Sequence, residues 1–215
     1  MDMSTPSLQT PAASQQIVFG LLRHGITVWN EEKRIQGSKN SPLSQQGRAA
    51  TAVWARYLEH GRWDRIVASD LGRVKETVAI LNTVLNLPLT FDVRLRELNW
   101  GQWEGRKVHE IKTSAAAELD RQVKAGWNFR PPGGESRAEV LARAKAALLE
   151  TARHRPGENI LTVCHLGVIK CLVLDALGNS YLPSESIRLE QNTMHLLAVS
   201  GENLSCLQLN IAPPP

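Results

Sequence analysis

The 215-residue chain has three cysteines, Cys164, Cys171 and Cys206. An odd count without CxxC spacing excludes a disulfide framework and fits a reducing, cytoplasmic compartment. Aromatic residues make up 5%, although six of the eleven are Trp. Eleven Pro and fifteen Gly are too few for a low-complexity or fibrous chain. No apolar run reaches the length of a membrane-crossing helix, so no membrane partner is expected. The Ser/Thr/Gln/Pro-rich start lacks the basic and apolar regions of a secretory signal and reads as a flexible leader over 1–15. Lys and Arg do not cluster into a run. The net charge of +4 is therefore a mild bias toward anions, not a nucleic-acid stripe. No HxxxH, HxH or HExxH spacing is present, and no metal is expected.

The remaining composition is that of an ordinary globular chain, with 42% hydrophobic and 21% charged residues. At this length folding buries roughly 70% of the extended surface, enough for one sizeable core. Apolar runs over 17–22, 64–69, 87–91 and 159–164 read as strands. Helical periodicity covers 44–60, 72–85, 108–124 and 167–177, and Ser136 with Glu139 opens a further helix through Ala152 with capping-box spacing. Segments 194–199 and 204–211 read as a hairpin around Gly201. Strands alternating with helices predict a single α/β domain over 16–211 with a largely parallel central sheet covered on both faces, a three-layer α/β/α sandwich. Residues 101–131 form an insertion or lid, and 212–215 a tail.

Ligands in such sheets sit beyond the carboxyl ends of the strands. Three polar clusters fall there: Arg23-His24-Gly25, Ser69-Asp70-Leu71-Gly72-Arg73, and His165-Leu166-Gly167. Thr27 is placed to cap a short helix from Val28. A lone RHG triplet is weak evidence, and a single such histidine is more often structural. Asp70 is read as capping the next helix or orienting Arg73, and Ser136 as a cap. Trp100 and Trp103 either flank a leaving group or pack the insertion. Cys164 ends a strand, but the residue six positions on is Lys170, which argues against a cysteine-phosphatase loop and for a buried structural thiol.

Taken together, Arg23-His24-Gly25, Asn30, Gln36-Gly37, Arg73, Leu95-Arg96-Glu97-Leu98, Gly101-Gln102-Trp103-Glu104-Gly105, Pro132-Gly133-Gly134-Glu135-Ser136 and the His165 segment resemble the histidine phosphatase superfamily, the phosphoglycerate mutase-like family. The resemblance runs from about Ile17 to Leu177, roughly three quarters of the chain. It implies a phosphoglycerate mutase-like fold, with His24 as phosphorylated nucleophile and Glu97 as proton donor. It implies that Arg23, Asn30, Arg73 and His165 bind the phosphoryl group, and it needs no cofactor. The chemistry agrees, because phosphoryl transfer spreads charge over oxygens that fixed cations must meet. His24 is expected neutral and His165 protonated, an opposed pair. Gln36, Gly37, Trp100, Trp103 and Leu166 are further candidates for the substrate wall.

Four positions depart from the family pattern. Ile26 and Asn40 replace polar and acidic residues, Leu166 replaces a Gly, and Lys170 replaces an Arg expected in a peripheral ion pair. Only 34 residues separate Glu97 from Pro132. Cofactor-dependent mutases of the family carry a longer cover there. The sequence therefore points to a metal-independent phosphomonoester hydrolase acting on a small phosphate ester. Phosphoglycerate mutase is the alternative, and a non-catalytic phosphate-binding protein is the remote one. A homodimer is compatible with this reading.

Overall fold

The computed structural model describes residues 16–213. The leader expected over 1–15 and the last two residues of the tail lie outside the described residues. The elements are β1 (Ile17–Arg23), α1 (Val28–Glu31), α2 (Gln45–Glu59), β2 (Arg65–Ala68), α3 (Gly72–Leu85), β3 (Leu89–Phe91), α4 (Val108–Ser114), α5 (Ala116–Lys124), α6 (Arg137–His154), β4 (Asn159–Cys164), α7 (Leu166–Ala176), β5 (Met194–Ser200) and β6 (Asn203–Ile211). Short 3₁₀ turns occupy 93–95, 101–103, 126–128 and 183–185.

The six strands form one sheet in the order β3-β2-β4-β1-β5-β6. The four strands from β3 to β1 are parallel; β5 adds antiparallel to β1, and β6 antiparallel to β5. Alternation along the strands separates two cores. Phe19, Leu21, Ile160 and Cys164 face α6 and α7. Leu22, Ile66, Leu161 and Val163 face α2 and α3. The expected α/β/α layering is what the chain builds.

Register places the chemistry. Arg23 pairs with Cys164 across the parallel β1–β4 ladder, so the next residues, His24 and His165, leave the sheet side by side. The His24 amide donates to the Cys164 carbonyl at 3.0 Å, and the Ser69 amide donates to Val163. The carboxyl ends of β1, β2 and β4 therefore converge on one spot.

Helix starts follow local chemistry. Ser136 and Glu139 cap α6 reciprocally, as their spacing predicts. Ser44 caps α2 by accepting from Gly47. Gly47 also lets α2 approach the chain next to His24, since a Cβ there would lie 1.9 Å from the Ile26 carbonyl oxygen. The single helix expected over 108–124 is broken at Ala115, whose φ of −135° and ψ of 34° are not helical. Insertion side chains Trp103, Ile111 and Phe129 form their own buried cluster.

Candidate active site

His24 is 5% exposed and sits between two guanidinium groups. Its Nδ1 lies 2.8 Å from the Gly25 carbonyl, which only accepts, so Nδ1 carries the proton. The lone pair is then on Nε2, which receives a hydrogen bond from Arg73 Nε at 3.2 Å. Burial, then Arg23, then Arg73 hold the His24 pKa well below its ordinary value. A neutral imidazole with its lone pair on Nε2 is the nucleophilic form.

Arg73 enters from the first turn of α3 and is 1% exposed. It donates to the carbonyls of Lys39 at 2.7 Å and Gly37 at 2.8 Å, which fix its fork. Burial lowers its pKa to about 10, still far above neutrality. Arg23 differs, because its buried Nε finds no protein partner among the described residues. An orphaned guanidinium N–H in a cavity is a donor set awaiting an anion.

His165 is fully buried, behind Arg73 and off the cavity wall. Arg73 donates to its Nδ1 at 3.1 Å, so Nε2 carries the proton and donates to Ser69 Oγ at 2.8 Å. Burial, Arg73, His24 and Arg23 hold its pKa well below the usual histidine value. Burial first, and then the two guanidiniums, hold both imidazoles toward the neutral form here; the protonated His165 is the form expected beside a bound phosphate dianion. His165 touches the site through Arg73.

Glu97 faces His24 from the loop before the insertion. Its Oε1 accepts from the Leu98 amide at 2.9 Å, and Oε2 from the Gly167 amide at 3.4 Å. A Cβ on Gly167 would lie 2.3 Å from Oε1, so α7 begins with glycine where the carboxylate must fit. Arg143 supports this segment by donating to the carbonyls of Arg94 and Glu97 while paired with Glu135 at 2.7 Å. Glu135 is therefore a strut.

A cavity of about 510 Å³ gathers Arg23, His24, Asn30, Gln36, Gly37, Arg73, Glu97, Trp100, Trp103 and Leu166. Asn30 also completes a capping box with Thr27, whose amide donates to Asn30 Oδ1 at 3.1 Å. Gln36 Oε1 is buried without a partner among the described residues. Trp100 and Trp103 serve both alternatives, packing on Phe129 while lining the cavity. Among the described residues no group of three His, Cys, Asp or Glu side chains could hold a metal ion.

Other expectations need correction. Asp70 neither caps α3 nor orients Arg73; it pairs with Arg96 through two bonds of 2.5 and 2.6 Å. The α3 start is instead met by Asn40 Oδ1, which accepts from the Gly72 amide at 2.9 Å. A carboxylate would accept the same bond, so nothing in the structure explains the uncharged residue at Asn40. Ile26 lines a neighbouring cavity of about 550 Å³, which shares Arg23, His24 and Asn30 with the first. Lys170 makes no peripheral ion pair among the described residues and lines the central cavity. Arg137, Phe129 and Tyr181 also line it. Sequence reasoning missed Phe129 and Tyr181 because their segments carry no short motif, and Arg137, next to Ser136, because it was read only as the first turn of a capped helix.

Residues 19–212 match the family described as the Histidine phosphatase superfamily (branch 1). Among curated proteins, the probable phosphoglycerate mutase GpmB of Salmonella paratyphi C is 38% identical over 159 residues, 74% of this chain and 74% of that protein. Among solved structures, YhfR of Bacillus stearothermophilus gives a TM-score of 0.80 at 30% identity, covering 88% of this chain and 95% of that one. A mycobacterial glucosyl-3-phosphoglycerate phosphatase in complex with VO3 gives 0.79 at 27% identity, covering 92% and 100%.

Proposed function

Because the chain belongs to the histidine phosphatase superfamily (branch 1), we propose that it hydrolyses a small phosphate monoester through a phosphohistidine at His24. The observation that carries this reading is the Nε2 lone pair of His24 beside Arg73 and the unpartnered Arg23, with the Glu97 carboxylate across the same cavity.

The ester's phosphoryl oxygens meet Arg23 and the Arg73 Nε–H, which exchanges its bond to the His24 imidazole for one to oxygen. His24 Nε2 donates its electron pair to phosphorus, and the bond from phosphorus to the ester oxygen breaks. Glu97, entering in its acid form, protonates the departing alkoxide. Its carboxylate then takes a proton from water as the oxygen attacks phosphorus and the P–N bond breaks. Inorganic phosphate leaves, and His24 and Glu97 return to their starting forms. Fixed cations around the equatorial oxygens supply the electrostatic stabilisation. Ser69 and His165 hold Arg73 from behind.

Phosphoglycerate mutase is the second reading, favoured by the name of the curated Salmonella relative. Both readings share the first half-reaction and differ in what captures the phosphoryl group. The short insertion, built from α4 and α5, favours water. A screen of phosphate esters in the presence of chelator tests the proposal. Wild type should release phosphate and form an acid-labile phosphoenzyme, while His24→Ala should lose at least about 10³-fold in kcat. Faster isomerisation of 3-phosphoglycerate with 2,3-bisphosphoglycerate than hydrolysis of any ester would select the mutase reading.

A further inference from the structure

The Gly101-Gln102-Trp103-Glu104-Gly105 motif contains a carboxylate that phosphoryl transfer does not use. Glu104 closes the 3₁₀ turn over 101–103 and is half-buried. Its Oε1 accepts from two backbone amides, that of Ser38 at 2.7 Å and that of Trp100 at 3.2 Å. A carboxylate that accepts from amides makes charge-assisted bonds, roughly twice as strong as neutral ones. One of these bonds stays within the Trp100–Glu104 segment, and the other reaches the loop after α1.

Ser38 is the middle residue of a turn whose neighbours fix Arg73. The Arg73 fork donates to the carbonyls of Gly37 and Lys39, one on each side of Ser38. The turn closes on itself through the Lys39 amide, which donates to the Gln36 carbonyl at 3.0 Å. Gly37 has a φ of 56°, and a Cβ there would run into the Glu104 carboxylate. Both the backbone conformation and the approach of Glu104 therefore call for glycine. The other end of the tie is rigid, because Trp100 packs on Trp103 and Phe129 in the insertion cluster. A second strut runs alongside, the Gly105 amide donating to the Ile35 carbonyl at 2.8 Å. Charge agrees with geometry. Burial lowers the Arg73 pKa, while Glu97 and Glu104 both favour its protonated form.

We propose that Glu104 is the positioning residue for Arg73: its carboxylate pins the Ser38 amide and so presents the Gly37 and Lys39 carbonyls that aim the guanidinium at the transferring phosphoryl group. This rests on the reading of Arg73 as a phosphoryl clamp, which hydrolysis and mutase transfer share. Glu104 touches neither substrate nor His24, and acts through one turn of backbone. The insertion thereby reaches the phosphate site through a single side chain.

Two readouts on the full chain test this. The first is steady-state kinetics on the best ester from the screen, with melting temperatures measured in parallel. Glu104→Ala should lower kcat by about tenfold to a hundredfold, as a shift of up to about 1 Å predicts, with little change in KM. Glu104→Gln keeps an oxygen that can accept both amide bonds and should restore most of the rate. In an Arg73→Lys background Glu104→Ala should cost less than about twofold, since the fork it aims is gone. The second readout is the Arg73 Nε–H resonance, assigned by its loss in Arg73→Lys. It should be sharp in wild type and Glu104→Gln, and broadened in Glu104→Ala. Where Glu104→Ala fails to fold, Glu104→Met, which keeps the volume without the acceptor, takes its place. An unchanged resonance, a loss confined to KM, or a full loss in the Arg73→Lys background would overturn the positioning role. The phosphatase reading is scored apart from it: His24-dependent hydrolysis with wild-type kcat in Glu104→Ala upholds that reading and sinks the positioning role. If no ester is hydrolysed, the phosphatase reading falls and the resonance alone decides the positioning role.

Discussion

The rings of His24 and His165 lie with centroids 5.3 Å apart, and burial and guanidinium charge hold the pKa of each well below its ordinary value. Their protonation makes stability depend on pH. Each folded pKa lies well below 6.5, so as pH falls through about 6.5 the unfolded chain takes up protons first. Stability is unaffected above that window and falls with pH inside it, by at most about 1.4 kcal/mol per pH unit for each imidazole. Urea midpoints between pH 7.5 and 5.5 should therefore drop, and His165→Gln should flatten the slope; identical slopes would refute the neutral assignment. Cys164 behaves in the opposite sense, its thiol pushed up to about 12 by burial. A thiol so rarely ionised is not the nucleophile, and Cys164→Ser should retain most of kcat. Abolished turnover in that variant, with His24→Ala unaffected, would reverse the mechanism. Motif residues such as His24 and Arg73 were readable because short spacing on strand ends signals a site. The setting of Asp70 was not, because its partner, Arg96, comes from distant sequence.

Helix α7 begins with Leu166 and Gly167, and its amide contact with Glu97 ties that carboxylate, the proposed proton donor, to the end of β4. Gly167→Ala should push that carboxylate off line. A displacement of about 1 Å costs on the order of 10²-fold in rate, so kcat should fall steeply while the melting temperature changes little. Equal loss of both would mean the glycine serves folding instead. The α6 cap offers the converse case. Ser136→Ala removes an acceptor for the Glu139 amide and should cost about 1 kcal/mol of stability, measured by urea melts, with KM nearly unchanged. This capping box was legible from two residues three apart. The break at Ala115 was not, since periodicity continues through it and only backbone angles reveal it.

Alternation of strands and helices signalled a largely parallel sheet and Gly201 the final hairpin, but not the order that puts β4 between β1 and β2. Composition could not reveal that the insertion carries a cluster of its own, Trp103, Ile111 and Phe129, apart from the two cores on the sheet. That cluster accounts for part of the tryptophan excess; Trp127 adds to it by stacking on Tyr181 and donating to the Asn179 carbonyl. Helix α5 buries no residue fully and α4 only Ile111. Their amides should exchange with deuterium well before those of β1 and β4, since regions with few buried apolar contacts open locally. Protection of α4 and α5 as strong as that of the central strands would contradict this.

The pairing of Arg23 with Cys164 joins positions about 140 residues apart. On the ribosome, at about 5–20 residues per second, His24 emerges many seconds before the strand that completes its surroundings. Through that interval there is no convergence of Arg73, Ser69 and His165, and hence no phosphate site. The nascent chain is chemically silent, and catalysis switches on only when nearly all of the polypeptide has been made.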